Sequence, residues 1–210
     1  MKTITIILFI FFTSIVLSQN DSIALKNINN DSRIDYIFSV DINSFIPSGN
    51  LKESLDESLG IGFYFGVPLN QKIRIDLGVS LFFPKTKQNI IYIDNDQILE
   101  GGASTSGTLG AWITHMTPIG ASLSWEKRFG IGVGFFQTDI ETGKPKEEND
   151  SVYGVETISF SIGTGIRAKV FRRNIGIKVD YFFTPYNLFK ERLPSNFGNS
   201  YFTLGLTFGI

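Results

Sequence analysis

Three consecutive stretches decide how this chain is read: LGIGFYFGV (Leu59–Val67), PLNQK (Pro68–Lys72) and IRIDLGVSLFF (Ile73–Phe83). In the first, Leu59, Ile61, Phe63, Phe65 and Val67 alternate with Gly60, Gly62, Tyr64 and Gly66. In the third, Ile73, Ile75, Leu77, Val79, Leu81 and Phe83 alternate with Arg74, Asp76, Gly78, Ser80 and Phe82. Successive side chains of a strand point to opposite faces, so a period of two gives each segment one apolar face and one small or polar face. A break of five residues between two such runs predicts an antiparallel hairpin.

The same period extends in both directions. Upstream, Tyr36, Phe38, Val40 and Ile42 alternate with Ser39, Asp41 and Asn43. Downstream, the apolar members are Ile119 to Trp125, Phe129 to Phe135, Ile158 to Val170, Ile175 to Phe183 and Phe202 to Ile210. Helical periodicity is absent. These runs predict eight strands, most of them about nine to eleven residues long, the length a tilted strand needs to cross a bilayer.

The connections alternate in length. Pro68–Lys72, Lys127-Arg128 and Arg172–Asn174 read as short turns. Pro47–Ser58, Lys85 to about Thr108, Thr142–Gly154 and Tyr186–Asn199 read as long polar loops. Within the second loop, Ile90–Ile93 followed by Asp94-Asn95-Asp96 predicts a strand pair projecting past the main sheet and turned at the Asp/Asn cluster. Alternate short turns and long loops are the layout of outer-membrane barrels, with the short turns facing the periplasm. An even strand count puts both ends of the barrel segment on that side. Closure requires the first strand, near Tyr36, to pair with the last, near Phe202, because hydrocarbon offers no partner for an open edge. Pro118 lacks an N–H for the ladder, so it is expected at a bulge or where the fourth strand enters the membrane.

Alternation alone does not say which face points inward. Three features favour an apolar exterior. The other face is rich in Gly, Ser and Thr, which suit the crowded bore of a narrow barrel. Its charges balance: Arg74, Arg167, Lys169 and Lys178 can oppose Asp41, Asp76, Glu126 and Asp180, and only paired charges are tolerable in a confined interior. Aromatic residues gather towards strand ends, with Trp125, Phe129, Phe171 and Phe208 on the short-turn side and Phe45, Phe83, Phe183 and Tyr186 on the long-loop side, as in interfacial girdles. The expected fold is all-β: an eight-stranded antiparallel up-and-down transmembrane β-barrel over residues 33–210.

Met1-Lys2-Thr3, the apolar run Ile4–Leu17 and Val16-Leu17-Ser18 form the three-part pattern of a secretory signal peptide, so residues 1–18 are expected to be removed. Residues 19–32 read as a flexible polar arm. Composition narrows the function classes. Aromatic residues reach 14%, with 20 Phe, while charged residues are 19%, below the roughly 25% of soluble domains. A net charge of −1 argues against nucleic acid as a partner, since that requires a basic footprint. The absence of cysteine excludes disulfide scaffolds, thiolate zinc sites and Cys nucleophiles.

The ending Thr203-Leu204-Gly205-Leu206-Thr207-Phe208-Gly209-Ile210 resembles the C-terminal insertion signal of bacterial outer-membrane proteins, through Thr203, Gly205, Phe208 and Ile210. Ile210 stands where that pattern more often has Phe. The segment from Thr117-Pro118-Ile119 through Trp125-Glu126-Lys127-Arg128-Phe129 is similar to a strand-turn of the small outer membrane protein beta-barrel domain family, which includes PorT-like members that serve protein secretion. Thr117 and Gly120 depart from that family's pattern. The resemblance implies a Gram-negative outer-membrane location and the barrel-assembly machinery as a partner during insertion.

Catalytic and ligand motifs are sparse. His115, the single histidine, has no nucleophile and carboxylate ordered around it, although Ser104 and Ser106 are near in sequence. Asp94, Asn95, Asp96 and Glu100 offer hard oxygen ligands, but a hairpin tip explains them as well. Gly130-x-Gly132-x-Gly134 lies in a strand pattern and opens no helix, so it fails the context test for nucleotide binding. Glu141–Asp150 reads as a solvated outer loop. The reading is therefore a monomeric, non-enzymatic barrel embedded in outer-membrane lipid, with a plugged, charge-paired lumen, no cofactor and no metal, acting through its long loops. The alternatives are a lipocalin-like soluble barrel carrying an apolar ligand and a membrane-embedded enzyme.

Overall fold

The computed structural model describes residues 37–94, 97–140, 153–170, 173–189, 193–194 and 196–209. The expected signal peptide, the N-terminal arm, Tyr36, Asn95, Asp96, Glu141–Asp150, Phe171 and Ile210 lie outside the described residues.

The strands are β1 (Ile37–Ser48), β2 (Ser58–Pro68), β3 (Ile73–Phe82), β4 (Ile90–Asp94), β5 (Gln97–Pro118), β6 (Leu123–Ile140), β7 (Tyr153–Val170), β8 (Arg173–Phe183) and β9 (Ser200–Gly209). A single helical turn, α1 (Leu51–Ser54), sits between β1 and β2. The strands form one antiparallel sheet in the order β3-β2-β1-β9-β8-β7-β6-β5-β4, and β3 also pairs with β5. That last pairing closes a ring of eight strands and leaves β4 outside it. The seam between first and last strands runs from Ser39↔Gly209 to Ser48↔Ser200, as closure demands.

The hairpin predicted from Leu59–Phe83 is β2–β3, in register from Gly60↔Phe82 to Pro68↔Arg74. Asn70 sets its turn by accepting hydrogen bonds from the backbone N–H groups of Lys72 (2.8 Å) and Ile73 (2.9 Å) through Oδ1. The face assignment follows the alternation. Ile42, Phe63, Ile113, Phe129, Ile162, Ile177 and Leu206 point outward and are exposed, Ile162 at 64%. Ser39, Asp41, Asn43, Ser80, Thr108, Ser161, Thr203 and Thr207 are buried within the bore. Ten residues at about 3.3 Å each, tilted about 40°, give an apolar wall on the order of 25 Å tall.

Two expected boundaries are wrong. Lys127-Arg128 is not a turn: both residues lie within β6, and the turn joining the fourth and fifth barrel strands is Ile119–Ser122, earlier in the chain. The fourth barrel strand is accordingly β5, which ends rather than begins at Pro118, paired with Ser124. Pro118 is tolerated there because a strand's last residue need not donate to the ladder. The strand pair expected beyond the barrel exists, from Ile90↔Gly101 to Asp94↔Gln97, but its second arm is the upper part of β5 itself. A β-bulge between Ala103 and Thr105 separates the two parts of β5. β5, β6 and β7 run 22, 18 and 18 residues, so with β4 they extend as a sheet beyond the rim at the long-loop end.

Candidate functional site

The bore holds two layers, and strand parity delivers each residue to it. The layer towards the short turns is ionic. Arg74 grips Asp76, with Nε 2.5 Å from Oδ1 and Nη2 3.0 Å from Oδ2, and its Nη1 reaches Glu126 Oε1 at 3.3 Å. Glu126 is shared with Arg167, whose Nε lies 2.6 Å from Oε1 and Nη2 3.3 Å from Oε2. Thr114 donates its hydroxyl to Asp76 Oδ2 at 2.7 Å. Above this group, Arg128 Nη1 donates to Asp180 Oδ2 at 2.8 Å, and Lys178 forms ion pairs with Asp41 and, at 3.7 Å, with Asp180. Among the described residues the buried charges are four cations (Arg74, Arg128, Arg167, Lys178) and four carboxylates (Asp41, Asp76, Glu126, Asp180). Such an arrangement is tolerable only because each charge faces its opposite; an isolated ion here would cost several kcal/mol.

Aromatic rings complete this layer. The Tyr64 ring lies 4.2 Å from Lys178 Nζ and 5.5 Å from the Arg128 guanidinium, which is also 5.9 Å from the Trp112 ring. Trp112 donates its indole N–H to Ser161 at 2.8 Å, which satisfies a donor that water cannot reach. Arg167 Nη1 and Asp180 Oδ1 have no hydrogen-bond partner among the described residues.

The layer under the long loops is apolar. Tyr201 stacks on Phe182 at 4.8 Å and 8°, and packs on Phe45 at 4.7 Å and Phe82 at 5.8 Å. Phe136, Tyr186 and Phe197 meet edge to face at 5.2–5.8 Å. Side chains of two loops pack against these rings. α1 inserts Leu51, followed by Leu55, both buried. The β8–β9 loop inserts Tyr186, Leu193 and Phe197 and is held in shape by Asn187, which donates to the Leu193 carbonyl at 2.8 Å and accepts from its N–H at 3.1 Å. The loops touch at Gly198 (φ +92°), whose missing side chain lets the Leu51 backbone approach; a Cβ there would overlap it. Burial pushes the Tyr186 phenol up to about 12, partly offset by its hydrogen-bond contact with Ser106.

Seven of the eight charges picked from the sequence, all but Lys169, meet in this network. Lys169 is exposed at the short-turn mouth, where its N–H donates to the Ser122 carbonyl at 2.7 Å. Arg128, at the centre of the network, was missed because it was read as part of a turn. The signal was present: Trp125, Lys127, Phe129 and Ile131 keep one parity without a break, so Arg128 falls on the inner face with Glu126. Phe45 and Tyr186 belong to the inner aromatic layer rather than to an outer girdle, whereas Phe83 and Phe183 do point outward. At the short-turn side Trp125 is outward, its ring capped by Lys127 Nζ at 4.4 Å. Thr203, Gly205 and Phe208 lie on β9, with Phe208 outward.

Among the described residues the catalytic and ligand candidates do not assemble; Asn95 and Asp96 lie outside them. His115 lies near the end of β5 on the outer wall, between Ile73 and Lys127 in register. Ser106 faces the bore about 30 Å away along the same strand, and Ser104 sits in the bulge with its hydroxyl on the Gln137 carbonyl at 3.4 Å. Gly130, Gly132 and Gly134 lie within β6, where Gly130 leaves room for Trp112. Among the described residues no three His, Cys, Asp or Glu are grouped to hold a metal ion.

Neither a protein-family model nor a curated protein sequence matches this chain. Solved structures do. Neisserial surface protein A (NspA) aligns with a TM-score of 0.56 at 10% identity, over 83% of this chain and 95% of that one. That likeness is one of fold: a closed eight-stranded barrel. The attachment invasion locus protein Ail of Yersinia pestis aligns at TM-score 0.47 and 11% identity, over 85% and 98% of the two chains. The N-terminal β-barrel domain of Pseudomonas aeruginosa OprF aligns at 0.40 and 16%, over 82% and 97%.

Proposed function

We propose that this chain is an integral outer-membrane β-barrel with a plugged bore, acting as a structural and interaction protein through its long-loop end. One observation carries the reading: among the described residues the wall exposes a belt of aliphatic and aromatic side chains, while four buried cations and four buried carboxylates neutralise one another inside. A water-soluble barrel with the reverse arrangement is the natural home of an apolar ligand; here the bore is ionic and aromatic instead. Exposed apolar surface on this scale is stable only against hydrocarbon. Trp125 and its Lys127 cap suit a lipid–water boundary, where an amphipathic ring and a long ammonium side chain both find their preferred medium.

On this reading the short turns face the periplasm and the projecting sheet of β4 to β7 faces outward. The outer-membrane lipid is a permanent partner and the barrel-assembly machinery a transient one, recognising the C-terminal signal. The barrel works as a monomer without enzymatic activity: among the described residues each lumen carboxylate is engaged by a cation, and His115 lies on the outer wall, away from Ser106 in the bore. Kinship with the outer membrane protein beta-barrel domain family, PorT-like members included, rests on the Thr117–Phe129 segment.

The test is gel migration and conductance of the mature chain refolded into lipid. A folded barrel migrates faster before boiling than after it and gives no large steady conductance in planar bilayers, since two layers of side chains fill the bore. A monomer that stays soluble without detergent contradicts the membrane assignment. Large steady conductance contradicts the plug.

A further inference from the structure

We propose that a groove on the outer rim of the long-loop end binds a membrane lipid with a phosphorylated, anionic headgroup; this rests on the membrane reading above. The groove has a volume of about 700 Å³ and lies between the β1–β2 and β3–β4 loops. Lys52, Lys85 and Lys87 line it together with Pro47, Leu59 and Phe83.

The two loops are clasped to each other by their backbones, which holds the lysines together. The Asp56 N–H donates to the Lys85 carbonyl at 2.8 Å and the Lys87 N–H to the Ser54 carbonyl at 3.0 Å, while Leu55 and Thr86 form an antiparallel bridge. Lys87 Nζ also donates to the Lys52 carbonyl at 2.9 Å. Leu55 anchors the clasp by burial in the plug. The lysines are therefore fixed by the fold rather than carried on independent chain segments.

Charge and polarity run in the order a lipid requires. Leu59 follows the first residue of β2, and the β2–β3 register, which reaches Gly60↔Phe82, carries it to a position opposite Phe83. Both are outward and more than half exposed, so they mark the upper edge of the apolar wall. Lys52, Lys85 and Lys87 belong to the loops that continue these strands past that edge. Two carboxylates, Asp56 and Glu57, also line the groove. Asp56 engages Lys87 at 3.6 Å, but both groups are exposed, so the pair is weak and easily exchanged for a phosphate. Lys52 and Lys85 have no ion pair among the described residues. An acyl chain against Leu59 and Phe83 places the phosphate of the same molecule at the lysines. A soluble anion uses only the lysines, and a neutral lipid only the apolar side chains.

The experiment is native mass spectrometry of the delipidated, detergent-refolded barrel titrated with phosphatidic acid, phosphatidylcholine or inorganic phosphate. The wild-type barrel retains phosphatidic acid at concentrations roughly tenfold lower than phosphatidylcholine, the scale set by a few lysines acting on one phosphate. The K52Q/K85Q/K87Q variant binds both lipids alike. The charge-matched variant K72Q/K127Q/R173Q, altered at the other rim, keeps the preference, and excess inorganic phosphate does not displace the lipid. Retention of the preference by K52Q/K85Q/K87Q overturns the proposal, and so does displacement by inorganic phosphate, which would assign the groove to a soluble anion. Heat-dependent migration of the same samples separates the two readings. A folded, heat-modifiable barrel with no lipid preference overturns the groove alone, whereas a chain that forms no such barrel overturns the membrane assignment.

Discussion

Arg128 shows what a single side chain does in a confined bore. It donates to Asp180 at 2.8 Å and faces the rings of Tyr64 and Trp112. Replacing it by Gln leaves Asp180 with only the 3.7 Å contact to Lys178, so R128Q is expected to cost about 3–5 kcal/mol. In the double variant R128Q/D180N neither partner is left as an unpaired charge, and the two costs combine to less than their sum. Urea titrations of lipid-embedded protein, read by gel migration, check both values; strictly additive losses would show that the two residues do not act as a pair. Space around this network is equally restricted. A Cβ at Gly163 would overlap the Asp180 carboxylate and lie 2.7 Å from the Val179 carbonyl, so G163A is expected to destabilise the barrel by about 1–3 kcal/mol in the same titration. An unchanged midpoint would show that the bore is looser than described.

At the scale of elements, strand identity was legible because parity is a local property. Leu59–Val67 and Ile73–Phe83 show their period without reference to any partner. The turn at Ile119–Ser122 was misplaced because the two charges at Lys127-Arg128 look like a break when only composition is weighed; the unbroken parity across them was the better guide. A charge-filled bore was legible from the balanced inner-face residues, but the aromatic layer under the long loops was not. Phe45 shares the parity of Asp41 and Asn43, so its inward direction was written in β1 and was overlooked in favour of its place near a strand end; Tyr186 lies beyond β8, and its direction depends on how the β8–β9 loop folds over the mouth, which local spacing does not give. The β8–β9 loop carries a pH prediction. Tyr186 has its phenol pushed up to about 12 by burial, above the roughly 10 of an exposed tyrosine. The folded state therefore resists deprotonation more than the unfolded state. Its contribution is complete below pH 10 and is lost progressively as the pH rises towards 12. Denaturation midpoints should fall more steeply over that range in the wild type than in Y186F. Parallel curves for the two proteins would show that the phenol is not buried in the folded state.

For the whole molecule, function and stability meet in one inversion. The side chains that would form the core of a soluble barrel make up its exterior, and the core consists of salt-bridged polar groups beneath an aromatic lid. The ring has no open strand edge, and β4, outside it, belongs to the sheet that projects past the rim. The two tryptophans lie on opposite sides of the wall: Trp125 is 42% exposed on the outside and Trp112 is 1% exposed inside the bore. They make the inversion directly measurable. In vesicles whose acyl chains carry bromine near the headgroup, fluorescence from Trp125 alone (W112F) should be strongly quenched, and fluorescence from Trp112 alone (W125F) should be nearly unaffected. Strong quenching of Trp112, or none of Trp125, would contradict the assignment of the apolar face to lipid.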